Sequence, residues 1–82
     1  MIPKASKVIK EQMKKNESYV EYAIVDCEKK MALIIGSIRN QVLDKLTIGM
    51  TRADKNKFID ANSRDIHTAI DDIILQMMIK RK

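Results

Sequence analysis

Between Val20 and Leu46 the apolar residues Val20, Ile24, Cys27, Met31, Ile34, Ile38, Val42 and Leu46 follow one another at steps of three or four. An α-helix returns a side chain to the same face at that spacing, whereas a strand does so every second residue. The pattern predicts one long amphipathic central helix over residues 17–48. The thirteen isoleucines of the chain would by themselves favour strands. They fall on helical rows instead, and 2 Gly with 1 Pro leave few of the turns that a sheet protein needs. Beyond Ile38 the steps settle to fours, so a long regular coiled coil is not expected.

Local signals set the ends. Ser18 and Glu21 have the spacing of a capping box. Gly49 is the expected left-handed residue after the central helix, with Lys45 in its last turn, and Thr51-x-x-Asp54 opens the next one. So short a link predicts two antiparallel helices. The C-terminal helix, residues 51–81, carries Phe58, Ile59, Ile66, Ala69, Ile70, Ile73 and Met77 on helical rows. Asn62 or Ser63 is a candidate cap that would break it near 61–63. Residues 1–16 read as a short basic helix or arm, with Pro3 in its first turn and Val8, Ile9 and Met13 as a narrow apolar stripe. Gly36 sits where the central stripe is widest, either to let a neighbouring helix approach or simply facing solvent.

A domain of 82 residues buries a modest core. Cys27 is the only cysteine, so it forms no internal disulfide, and on the predicted apolar face it behaves as a small hydrophobe. One Cys and one His do not make a tetrahedral zinc site. A partner chain is then the expected source of extra buried area. The fold expected is all-α: a helical hairpin with a short basic N-terminal helix or arm, dimerising into a four-helix bundle. The alternative is a monomeric three-helix bundle, closed by the first helix. The expected interface is Met31, Ile34, Ile35, Ile38, Val42, Ile70, Ile73 and Met77.

The net charge is +5, and its excess is localised. Residues 1–16 set Lys4, Lys7, Lys10, Lys14 and Lys15 against Glu11 alone, and Lys80, Arg81 and Lys82 close the chain. Residues 17–50 carry four basic and five acidic groups. The five N-terminal lysines, with Lys57 and Arg64 on one row of the C-terminal helix, form a candidate polyanion-binding set. Tyr19 and Tyr22 are candidates for stacking on bases. A helix-turn-helix would require a turn at 61–63, with Arg64, His67 and Thr68 exposed on the second helix.

Catalytic chemistry is poorly provided for. His67 and Asp71 share a helix face, but no nucleophile or second carboxylate is spaced to complete a site. Two glycines do not make a phosphate loop, and no cofactor is expected. The longest apolar run, Met31–Ile35, falls far below the ~20 residues of a membrane span. The N-terminal residues lack the apolar region of a secretory signal. The expectation is a cytoplasmic protein, nuclear if eukaryotic or viral. Its expected role is a non-enzymatic regulator or adaptor that pairs with itself and with a protein partner through helical faces. The alternative is a small basic nucleic-acid-binding regulator of phage, plasmid or viral type.

Overall fold

Thr47, Gly49 and Thr51 build the reversal on which the fold turns. The Thr47 hydroxyl donates to the Leu43 carbonyl at 2.8 Å, one turn back. Gly49 then takes φ = +84°, a conformation that a side chain disfavours. The Met50 N–H closes on the Thr47 carbonyl at 3.1 Å. Thr51 caps the following helix by accepting the Asp54 N–H at 3.2 Å.

The structure, a computed structural model, describes residues 3–80. It holds α1 (Pro3–Lys15), α2 (Glu17–Val25), a 3₁₀ turn (Glu28–Lys30), α3 (Met31–Leu46) and α4 (Arg52–Lys80). There is no strand among the described residues, as the apolar spacing predicts. Arg81 and Lys82 of the basic C-terminal end lie outside the described residues. The 29 residues of α4 span about 43 Å at 1.5 Å per residue, which matches the 43 Å long axis of the molecule. Helices α3 and α4 run antiparallel. Asp44 meets Lys55 at 3.7 Å near one end, and Arg39 meets His67 at 3.3 Å further along.

Helix α1 is an ordered part of the bundle. Ala5, Ile9, Gln12 and Met13 are buried on one of its sides, and its lysines are exposed on the other. Its apolar row closes a core with Ile35, Ile38, Val42, Leu46, Ile66, Ile70 and Ile74. A helix of this length is marginal alone in water. Docking against α3 and α4 therefore stabilises it, with the burial of one large aliphatic side chain worth about 1.5–3 kcal/mol.

The central helix differs from the sequence expectation. It does not run through residues 17–48 but breaks between Val25 and Met31. Asp26 closes α2, Cys27 turns the chain with φ = −153°, and the 3₁₀ turn leads into α3. Asp and Cys are weak helix formers, but packing supplies the larger reason. The break folds α2 back along α3, where Val20 and Ala23 are fully buried. One straight helix would carry them past the end of the bundle. Cys27 consequently sits half-buried in a turn and not on the apolar face assigned to it.

The Ser18–Glu21 capping box is also replaced. Asn16 stands between α1 and α2, and its side chain makes no cap bond to α2. Its amide donates to the Gln12 carbonyl at 2.7 Å and to Gln41 Oε1 at 2.8 Å, tying the kink to α3. Asn62 does not start a new helix either. Its amide donates to the Phe58 carbonyl at 3.0 Å, one turn back, and α4 is continuous through 61–63. That continuity removes the turn a helix-turn-helix requires.

Gly36 does not mark a close helix approach. A Cβ placed there would meet nothing nearer than the Arg39 guanidinium, at 3.9 Å, an ordinary contact. Gly36→Ala is therefore expected to stabilise the fold by about 0.5–1 kcal/mol, through helix propensity alone. Gly49→Ala has free space but the wrong φ, and is expected to cost about 1–2 kcal/mol. Urea midpoints of the two variants check both signs. A destabilised Gly36→Ala would mean that the helix is held there by something other than the contacts described.

Candidate functional site

Helix α1 covers one side of the α3–α4 pair, and the other side is an open groove to which α1 contributes no lining residue. One end is polar. It is a hollow of about 540 Å³ between Arg39 of α3 and the α4 row Ile59, Asp60, Ser63 and Arg64. The other end, about 460 Å³, is largely apolar, with Met31, Ile35, Ile74, Leu75 and Met78 lining it. Glu28 and Asp71 are the charged residues of that end. His67 lines both ends and so marks the middle.

Arg39 is held but incompletely satisfied. Its Nη1 lies 3.3 Å from His67 Nδ1 and its Nη2 3.4 Å from Asn40 Oδ1. Its Nε is buried without an acceptor among the described residues. A guanidinium only donates, so His67 Nδ1 accepts, and the ring proton of the neutral imidazole sits on Nε2. In a Ser-His-Asp triad the histidine has its Nδ1–H held by an acceptor and its Nε2 free. The arrangement here is the reverse. His67 is thus engaged by Arg39 across the two helices, while Asp71, on the same face of α4, lines the apolar end of the groove beside it.

The sequence-predicted residues are distributed over distinct places. Of the expected interface, Ile35, Ile38, Val42 and Ile70 are buried in the chain's own core, and Met31, Ile34, Ile73 and Met77 are half-buried against it. Large apolar side chains are exposed elsewhere. Leu33 is 72 % exposed, Leu75 48 % and Ile79 70 %, and Tyr19, Tyr22 and Val25 are exposed on α2. Leu33 and Leu75 both line the groove system beside Ala32. Leu33 widens the apolar surface around Met31–Ile38 but lies outside the expected interface, and Leu75 falls off the apolar rows; only the register of packed helices shows which side is left open. The Tyr22 phenol is pushed above its ordinary value, chiefly by its hydrogen bond to Cys27, then by the Cys27 charge, desolvation and Asp26.

The basic residues separate into two faces. Lys4, Lys7, Lys10, Lys14 and Lys15 are exposed together along α1, opposite its buried row. Arg64 lines the open groove, and Lys57 lies two turns before it on the same row of α4. The groove is on the side away from α1, so these two do not extend the lysine face.

Among the described residues no group of three or more His, Cys, Asp or Glu is placed to hold a metal ion. No helix of the described residues is long and apolar enough to cross a membrane. Comparison with family models, with curated proteins and with solved structures finds no match.

Because the Arg39 Nε is already buried without an acceptor, the guanidinium should contribute little net stability. Arg39→Met keeps the aliphatic stem and removes the orphaned donor. It is expected to change the unfolding free energy by less than about 1 kcal/mol. Chemical denaturation would check this, and a loss above about 2 kcal/mol would show that the Arg39–His67 contact holds α3 to α4.

Proposed function

We propose that this chain is a small non-enzymatic regulatory or adaptor protein that works through helix-mediated protein–protein association. The observation that carries this reading is the apolar surface left after the chain has closed its own core. Leu33 and Leu75 line the open groove, Ile79 lies one turn beyond Leu75, and Met78 and Met31 are only half-buried behind them. Single exposed hydrophobics are ordinary on a protein surface. A set gathered along one groove, with methionines able to adjust their shape, is the composition of a docking surface. The Arg39–His67 geometry adds support, since it leaves the lone histidine without the arrangement of a triad base.

The triple variant Leu33→Ser, Leu75→Ser, Ile79→Ser tests the reading. These side chains are exposed, so the fold should survive, which circular dichroism would show. Proteins captured from host extract by the wild-type chain should be lost with the variant. An unchanged set of captured proteins would count against association through this surface.

A second reading rests on α1. Its five lysines occupy one exposed face with Glu11 as the single acid, and such a face can displace counterions from a nucleic-acid backbone. If it does, binding to duplex DNA should weaken with salt. The variant with Lys4, Lys7, Lys10 and Lys14 all changed to Gln should lower the magnitude of the log–log salt slope by up to about 3–4. An unchanged slope, or no binding at low salt, would exclude α1 as a nucleic-acid face.

A further inference from the structure

We infer that the open α3–α4 groove is the seat of a second copy of this chain, laid antiparallel about a two-fold axis that passes between His67 and Thr68. This rests on the association reading and names the partner and the face. The groove is electrically polar along its length. Its Ile59–Arg64 end sets Arg39 and Arg64 against Asp60, while its Met31–Met78 end is lined by Glu28 and Asp71 without a Lys or Arg. Asp44, which lies along α3 between them and the loop, already has Lys55 as its partner at 3.7 Å. A surface positive at one end and negative at the other is complementary to itself when turned end for end. A two-fold axis does this, and an isologous contact repeats every favourable pair twice.

The register follows from α4 alone. Arg64 and Asp71 are seven residues apart, two turns on one face. An axis midway between His67 and Thr68 brings Arg64 opposite the partner's Asp71, and Asp71 opposite the partner's Arg64. Arg39, whose guanidinium has no carboxylate partner among the described residues, stands beside the same position. The same axis brings the exposed Leu75 to the hollow formed by Ile59, Asp60 and Ser63 of the partner subunit. An apolar knob then meets a hollow at each end, with the ion pairs between them.

The test is a charge-reversal cycle read by sedimentation equilibrium on the full chain at tens of micromolar. The wild type should sediment as twice its 9.5 kDa mass. Arg64→Asp places two acids opposite each other at both ends of the axis, and Asp71→Arg places two bases there. Each single variant should dissociate at least tenfold more readily than wild type. The doubly reversed Arg64→Asp, Asp71→Arg chain should recover the dimer. Mixed in equal amounts, the two single variants should form a heterodimer, because each then supplies the charges the other lacks. Arg64 is exposed and Asp71 half-buried, and unchanged helical circular dichroism would separate loss of pairing from loss of fold. A monomeric wild type would overturn the second-copy assignment while leaving association with a different protein to the capture experiment. A wild-type dimer indifferent to both reversals would overturn this face and register, but not self-association.

Discussion

The docking of α1 onto the α3–α4 hairpin is the interaction on which the remaining architecture depends. Two antiparallel helices bury one seam between them and leave apolar flanks on either side. Here Ala5, Ile9 and Met13 close one flank, over Ile38, Val42 and Ile70. The same docking orients the charge. Burial of one row of α1 forces Lys4, Lys7, Lys10, Lys14 and Lys15 outward on the other. Only one flank is closed, so the side of α3 and α4 away from α1 stays open. The core, the lysine face and the groove are consequences of a single packing choice.

The kink at Asn16 and the break at Asp26–Lys30 let the same stretch of chain serve that choice twice. Asn16 ends α1 and bonds across to Gln41, so α2 begins already held against α3. Val20 and Ala23 are then fully buried where α2 packs on α3. Two short helices joined by a polar hinge can follow a neighbour that one straight rod would leave. The hinge costs little, because the Asn16 side chain takes up the Gln12 carbonyl at the end of α1.

Much of this was legible in the residues and some was not, for identifiable reasons. Thr47–Thr51 was readable because turns are encoded locally: Gly49 adopts the left-handed φ, and Thr51 accepts the Asp54 N–H. The all-α class was readable because the 3–4 spacing holds regardless of neighbours. The break at Cys27 was not, because the row Ile24, Cys27, Met31 continues through it. Local periodicity is indifferent to whether a helix continues or folds back on itself. Asn62 misled in the opposite direction, since its side chain suits a cap but bonds the Phe58 carbonyl inside a continuous helix. Of the apolar residues named as an interface, Ile35, Ile38, Val42 and Ile70 are buried within the chain, and Met31, Ile34, Ile73 and Met77 are half-buried. What they did not decide was whether a second copy or α1 would bury them: the stripe Val8, Ile9 and Met13 is what closure by the first helix requires, while the width of the central stripe also suits a partner chain.

The docking of α1 changes where a partner would bind. With α1 undocked, the sticky surface is the row through Ile38 and Val42, and any amphipathic helix would satisfy it. With α1 docked, that row is closed, and the surface left open is mixed: apolar side chains at Leu33 and Leu75, guanidinium groups at one end and carboxylates at the other. An apolar stripe alone selects weakly, because hydrophobic contact has no direction. A stripe framed by opposite charges selects an orientation, since the wrong end brings like charges together. The first helix therefore does more than complete the core. By occupying the less discriminating face, it leaves open the surface on which the proposed partner and its direction would be specified.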